Sequence, residues 1–496
     1  MIKPTLKEFL KLSKKGNVIP VYKELNVDLD TPVSAFLRMK KSDYAFLLES
    51  VEGQQKIARY SFLGSDPSLV FTSKARHIEI RLPHRKSVRR FLTKETPLHE
   101  IQRIMKDFKA ASVPGLPRFY GGMVGFMAYD MVRFFEKIPD RNPDDLGLPD
   151  SIFILTDTLL VFDHVKHSLK IVANTLLPRS GRLSEASKKK LYGRSLKKIE
   201  SIQRQFHAPL NLRAKAVGKS AGSAKVASNV TKAKFEDMVR KAKDYIRKGD
   251  IIQVVLSQRF KARISCEGFD IYRNLRSLNP SPYMYFLQFK GVSLIGSSPE
   301  MLVRCEGGLI QTRPIAGTRK RGATDEEDRK LAEELLKDEK EKAEHLMLVD
   351  LGRNDLGRVS DAGTVKLSEF MNIEKYSHVM HLVSEVRGRL DEKRFDIYDV
   401  LRTAFPAGTV SGSPKIRAME IIDELENIKR GIYAGCVGYF SFSHNMDTCI
   451  TIRTIVVKGD YAYVQAGAGI VADSRPEKEY FESVNKAKAL IEAINK

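Results

Sequence analysis

Tryptophan is absent from this chain, and only 4 of its 496 residues are cysteine. Cys266, Cys305, Cys436 and Cys449 are scattered, with no CxxC pair among them. That spacing excludes a disulfide framework, argues against a structural zinc site and suits a reducing, cytoplasmic compartment. Long apolar runs are missing as well: none approaches the ~18 residues that span a bilayer, so no membrane partner is expected. The opening "MIKPTLKEFLKLSKKG" has neither the apolar core nor the small-residue cleavage site of a signal peptide, and predicts a short amphipathic helix. There is no HExxH to bind zinc, although His378 and His381 stand three apart.

Acidic residues are scarce relative to basic ones. Lys and Arg total 84 against 61 Asp and Glu, a net charge of +23. The excess is diffuse, aromatics do not interleave with it, and no nucleic-acid-binding module is present. A solvated surface that draws in an anionic metabolite is therefore expected, and nucleic acid is not.

What is present is a soluble composition, 42% hydrophobic and 29% charged, in a chain long enough for two or more domains or subdomains. Residues 1–205 alternate short strand-like runs with turn signals: "YAFLLES" (44–50), "LVFTS" (69–73), "FYGGMVGFMAYD" (119–130), "IFILTDTLLVFD" (152–163) and "LKIVAN" (169–174). These predict antiparallel sheet. Residues 206–230 hold no acidic residue and are rich in Ala, Lys, Ser and Gly, which predicts a flexible connector. The region 231–496 opens with a helix whose face is Phe235, Met238, Val239, Ala242, Tyr245 and Ile246. Thr324–Glu327 reads as a capping box that starts a long charged helix running to about Val349, and Ser474–Glu477 as a second box before the C-terminal helix.

Several residues invite chemistry. Glu344 lies on the apolar side of its helix, where a carboxylate needs a cation, unless the charge-rich helix keeps it at the surface. Glu479 and Glu482 share a face of the last helix, with Lys486 one turn beyond Glu482, a spacing that also suits plain surface pairing. Two glutamates from separate helices suit Mg²⁺, a hard cation that takes few carboxylates. "QAGAGIV" (465–471) brings Gly467, Ala468 and Gly469 together at the end of a strand, where bare backbone can approach a ligand, or simply bulge. Arg453 interrupts the β-branched "TCITIRTIVV" and serves either as a fork for a carboxylate or as an edge-strand residue. "FPAGTVSGSPK" (405–415) is a small-residue loop with Thr409 and Lys415, shaped like an anion cradle but without the Walker pattern.

These segments stand in a telling order. "QTRPIAGTRKRG" (311–322), "EHLMLVDLGRNDLGRV" (344–359), "MHLVSEVRGRL" (380–390), "AFPAGTVSGSPKIRAMEII" (404–422), "RGIYAGCVGY" (430–439), "TIRT" (451–454) and "AGAGIVADSRPEKEYFES" (466–483) resemble the chorismate-utilising enzymes, and most closely component I of anthranilate synthase. The likeness covers 231–496 and reaches the first half through "LLES" (47–50) and "GGMVGF" (121–126).

The resemblance implies an α/β structure of the α+β type. Two subdomains would contribute antiparallel sheets to a sandwich-like core, with helices outside and the active site in a cleft. It implies conversion of chorismate and ammonia to anthranilate and pyruvate, the first step of tryptophan synthesis. The ammonia would come from a glutamine amidotransferase partner, component II, in a heterotetramer. By matching position, Glu344 and Glu482 would hold Mg²⁺. Gly317, Thr318, Thr409, Tyr433, Arg453, Gly467, Ala468, Gly469 and Lys486 would bind substrate. Glu300 would protonate the departing 4-hydroxyl, with a pKa raised by burial. His381 would serve the elimination half. Glu49, Ser50, Pro282, Tyr283 and Met284 match the family's tryptophan feedback site.

Relatives divide at single positions. Aminodeoxychorismate synthase component I, the alternative reading, carries a nucleophilic lysine where this chain has Ala316. Isochorismate and salicylate synthases carry a water-activating lysine at the position of Gln253. In "GDIIQVVLSQRF" (249–260), Ile251, Gln253, Val255 and Ser257 are predicted to share one strand face, opposite Ile252, Val254 and Leu256. An amide does not titrate; it positions a nucleophile that arrives neutral, such as ammonia. Gln253 is thus assigned to the cleft with a catalytic role.

Overall fold

The computed structural model describes residues 2–27, 29–39, 42–50, 59–178, 183–206, 226–376 and 379–496. Within these residues the strands form two sheets, of 13 and 12 strands, built from antiparallel pairs. One apolar cluster holds residues from both sheets, including Phe62 and Tyr285 from the first and Phe71, Phe126 and Phe440 from the second. A second cluster joins the far side of the first sheet to its helices through Phe36, Phe269, Tyr272 and Leu490. The arrangement is α+β with a sandwich-like core and outer helices, as the resemblance implied.

Both halves of the chain build both sheets. Strand Ala45–Glu49 pairs with Tyr283–Phe289, placing Glu49 opposite Met284. Strand Gly122–Met127 pairs with Cys436–Ser441, placing Gly125 opposite Gly438. Regions 1–205 and 231–496 therefore meet along continuous hydrogen-bonded ladders. Of the expected connector, 207–225 lie outside the described residues, as does His378. Its flanks are structured: buried Phe206 ends helix Glu185–Phe206, and Ala227–Ser228 pair with Phe260 and Lys261.

Local chemistry accounts for the elements around the cleft. Thr231 caps helix Lys232–Arg247 by accepting from the Lys234 N–H at 3.2 Å, and the helix buries Phe235, Met238, Val239 and Ala242. The next strand runs from Gln253 to Arg263. Val254 and Leu256 pack on that helix and on helix Lys415–Leu425, which leaves Gln253, Val255 and Ser257 on the cleft side. The expected alternation starts late: Ile251 joins the Val254 cluster and Ile252 is exposed, because the turn at Gly249–Asp250 ends only there.

Five expectations need correction. The long charged helix is two helices, Asp325–Lys337 and Glu339–Gly357, broken at Asp338, whose carboxylate accepts from the N–H groups of Lys340 and Glu341. Glu327 does not close a reciprocal box with Thr324; its carboxylate accepts from the Ala323 N–H instead. Helix Pro476–Asn495 has no side-chain cap, since the Ser474 hydroxyl turns back to accept from the Val471 N–H. The run around Arg453 is two strands, Met446–Ile450 and Thr454–Lys458, which belong to different sheets. Arg453 sits in the crossing, outside both. Likewise "IFILTDTLLVFD" splits at Asp157 into strands of opposite sheets. Among the described residues no helix is long and apolar enough to cross a membrane.

Candidate active site

Gln253 is buried, and its Nε2 donates to Glu344 Oε1 at 3.0 Å. A carboxylate only accepts, so this bond fixes which way the amide faces. The amide oxygen is turned away from Glu344, buried, and without a partner among the described residues. The neighbouring strand comes close enough that a Cβ on Gly469 would lie 2.7 Å from Gln253 Nε2, so any larger residue there would displace the amide. Gly469 is paired with Val255, and Gly467 with Ser257. A Cβ on Gly467 would lie 3.0 Å from the Tyr433 hydroxyl. Ala468 alternates with these glycines and turns its methyl into the core beside Val254 and Leu256.

Arg453 immediately precedes strand Thr454–Lys458, whose Ile455 pairs with Val464 on the strand that carries these glycines. Its backbone is left-handed, with φ +50°, a conformation that costs a non-glycine residue about 1–2 kcal/mol. The turn is held by a 3.0 Å hydrogen bond from the Ser297 N–H to the Arg453 carbonyl. Among the described residues no acceptor pairs with its guanidinium. Burial pulls the group below the usual arginine range, and the fields of Tyr433 and Glu482 oppose this. A guanidinium left without an acceptor in the fields of Tyr433 and Glu482 has the chemistry to receive an anion. Tyr433 is itself held from behind by Arg430, whose guanidinium lies 5.5 Å from the Tyr433 ring. Arg430 also bonds Glu426, Val255 O and Val410 O, tying the Gln253 strand to the Thr409 loop.

Glu300 is buried, and the Thr409 hydroxyl donates to its Oε1 at 2.9 Å. Burial pushes the carboxyl up to about 8, against smaller opposing effects from Thr409 and Lys486. The shift is in the direction expected for this carboxyl. Lys486 Nζ lies 2.7 Å from Glu482 Oε1 and donates to Gly467 O at 3.2 Å. On the opposite wall, His381 Nδ1 is 3.0 Å from Gly317 O and 3.0 Å from Thr318 Oγ1. Burial lowers the His381 pKa, and the Gly317 carbonyl works against this. A neutral ring that donates from Nδ1 leaves Nε2 as a base. Gly317 has φ +60°, and a Cβ there would lie 3.2 Å from Glu341 Oε2.

A sequence profile of the chorismate binding enzymes matches residues 43–492. The chain belongs to the chorismate-binding enzymes. Anthranilate synthase component 1 of Acetivibrio thermocellus is 51% identical over 501 residues, covering 100% of this chain and 99% of the relative. That of Aquifex aeolicus is 52% identical over 492 residues, covering 99% and 97%. The solved structure of anthranilate synthase component I from Streptococcus pneumoniae superposes with a TM-score of 0.77 at 39% identity, covering 94% of this chain and 98% of that one. A menaquinone-specific isochorismate synthase from Escherichia coli shares the fold, with a TM-score of 0.69 at 20% identity over 99% of both chains. Within the chorismate-binding enzymes, this protein stands with the anthranilate synthase component 1 chains and is an enzyme of that group.

Two pairs of glutamates offer the all-oxygen donor chemistry that a hard divalent cation takes. Glu341 and Glu344 lie one turn apart on helix Glu339–Gly357, and Glu479 and Glu482 one turn apart on helix Pro476–Asn495. Burial and the neighbouring Glu344 carboxylate raise the pKa of Glu341; burial and Glu482 do the same for Glu479. All-oxygen donors crowded against like charge are what Mg²⁺ relieves. Among the described residues, however, no three acids, histidines or cysteines gather into a cluster, and Glu344 and Glu482 each bond a side-chain donor. Sequence reasoning passed over Glu341; its i−3 spacing from Glu344, matching that of Glu479 and Glu482, was the available signal.

A second cavity opens between the sheets of this chorismate-binding enzyme, lined by Ser50, Pro282, Tyr283 and Met284, the residues expected at the feedback site. The Ser50 hydroxyl is buried and without a partner among the described residues. Its floor is polar: Tyr283 Oη donates to Asp447 at 3.0 Å, and Arg304 and Arg118 both lie on Asp447. Glu49 also lines the cavity, but its carboxylate is turned to helix Gly268–Leu278, where Tyr272 and Arg276 hold it. The five expected residues are brought together, with Glu49 already paired.

Proposed function

We infer that this protein is the aminating subunit of anthranilate synthase, converting chorismate and ammonia to anthranilate and pyruvate in the first step of tryptophan synthesis. The observation that carries this reading is the unpartnered oxygen of Gln253, turned away from Glu344 by a bond that only the amide nitrogen can make. It is an acceptor waiting for an N–H donor, and it has no titratable proton with which to activate water. Ammonia meets that description. Ala316, where a relative's nucleophilic lysine would stand, removes the covalent route.

The site residues divide the work. Arg453, the Tyr433 hydroxyl and the N–H groups of 467–469 grip the enolpyruvyl carboxylate, and Lys486 adds a cation. Mg²⁺, held by Glu344 and Glu482, would withdraw electron density through the ring carboxylate as a Lewis acid. Glu300, protonated at neutral pH, donates its proton to the 4-hydroxyl, which leaves as water. Thr409 steadies the carboxylate that remains. Ammonia, hydrogen-bonded to Gln253 Oε1, adds at the ring carbon next to the one that carries the ring carboxylate, as the double bonds shift and the 4-hydroxyl departs. His381, neutral and open at Nε2, takes the ring proton as pyruvate departs and the ring becomes aromatic.

Component 1 chains pair with a component 2, and the reading extends to a glutamine amidotransferase partner that supplies ammonia in a cytoplasmic heterotetramer. The cavity at Ser50 suits tryptophan as a feedback inhibitor: its indole fits between Pro282 and Met284, and the free Ser50 hydroxyl meets a polar group. The net charge of +23 would steer a dianionic substrate inward. The test is direct. Purified protein with chorismate, Mg²⁺ and an ammonium salt should develop anthranilate fluorescence; a folded protein that develops none refutes the reading.

A further inference from the structure

The two carboxylates assigned to the cation are not bare. Glu344 accepts from Gln253 Nε2 at 3.0 Å, and Glu482 is paired with Lys486 Nζ at 2.7 Å. Lys486 also donates to Gly467 O at 3.2 Å, within the glycine strand assigned to the enolpyruvyl carboxylate. One ammonium therefore bridges a metal ligand and the substrate cradle. It also lies close enough to Glu300 to lower that group's proton affinity. An ordinary i,i+4 surface pair would touch neither.

We propose that Lys486 is a placeholder for the cation: without metal it neutralises Glu482, and when the cation binds, its ammonium is released from Glu482 to the substrate carboxylate. Cation and substrate then assist each other, because whichever arrives first dissolves the same ion pair. The proposal rests on the assignment of Mg²⁺ to Glu344 and Glu482. Lys486 and Glu482 are 40% and 47% exposed, so the pair is a weak lock that a cation can open.

The test is isothermal titration of Mg²⁺ into the full-length protein without substrate. Lys486→Met should bind Mg²⁺ about two- to fivefold more tightly than wild type, the range that an exposed pair of ~0.4–1 kcal/mol implies. The same variant should bind chorismate about tenfold more weakly or worse, having lost a charged donor. Lys340→Met removes a cation near Glu341 and Glu479 that makes no bond to Glu482, and should shift Mg²⁺ affinity less. Unchanged or weaker Mg²⁺ binding in Lys486→Met, or an equal gain in Lys340→Met, overturns the placeholder. Loss of Mg²⁺ binding in Glu482→Gln upholds the metal assignment independently. If wild type binds no Mg²⁺, the metal assignment falls and the placeholder with it. Thermal melting confirms that each variant is folded.

Discussion

Gln253 and Glu344 meet through one 3.0 Å hydrogen bond across 91 residues of sequence, and that bond leaves the amide oxygen free. Gln253→Lys would place an ammonium on Glu344 and remove the acceptor. Amination should fall by about tenfold or more, the worth of one hydrogen bond to the nucleophile and a disturbed carboxylate. Anthranilate formation under saturating ammonium measures it; wild-type output from the variant would remove Gln253 from the chemistry.

Glu300 links activity to pH. Its carboxyl keeps a proton up to about pH 8, so kcat/KM should decline above that value as the acid is lost. Thr409 favours the ionised form by donating to it, so Thr409→Val should move this limb to higher pH.

The same burial costs stability, and its sign is fixed. The unfolded chain loses this proton near 4.5, while the folded protein holds it to about 8. Between those values the native state binds the extra proton, so the group's contribution to stability falls as pH rises, and stays low above the window. Glu300→Gln cannot ionise. It should melt at a higher temperature than wild type above pH 8 and lose that advantage below pH 4.5, while activity drops by about 10²–10⁴-fold. Melting curves at the two ends of the window decide the matter.

Arg453 carries an unspent guanidinium on a left-handed backbone. Arg453→Lys keeps the charge but loses the planar fork, and should lower kcat/KM by about 10–100-fold, mostly through KM. Steady-state kinetics in chorismate report the split.

Ser50, in the second cavity, has a buried hydroxyl with no partner among the described residues. Ser50→Ala should raise the tryptophan concentration that halves activity by about fivefold, the worth of one neutral hydrogen bond. Arg276→Met should act on the same readout indirectly, by freeing a Glu49 carboxylate that is now paired. Inhibition curves for both variants test the pocket.

The face that Gln253 presents was readable from local pattern. The alternation of Val254 and Leu256 against Val255 and Ser257 put Gln253 on the right face, because burial on one side alone enforces a period of two. What escaped reading depended on partners distant in sequence. The β-branched residues around Arg453 read as one strand; the chain changes sheets there, and a left-handed φ leaves no mark in side-chain type. Asp338 breaks a run rich in helix formers because its carboxylate caps the second helix, a competition that helical propensity alone does not reveal. Glu49 was read as facing a ligand, yet Tyr272 and Arg276 from a distant helix had already claimed it. The interleaving of both chain halves in both sheets is likewise a matter of long-range pairing, as between Glu49 and Met284.

The central claim is that this cleft selects ammonia over water. The most direct measurement incubates the protein and Mg²⁺ with chorismate and heavy-nitrogen ammonium in heavy-oxygen water, and weighs the products. The account predicts anthranilate carrying the heavy nitrogen, with pyruvate in equal amount and no ring product that has gained heavy oxygen. Isochorismate or salicylate bearing heavy oxygen, or aminodeoxychorismate in place of anthranilate, would contradict it.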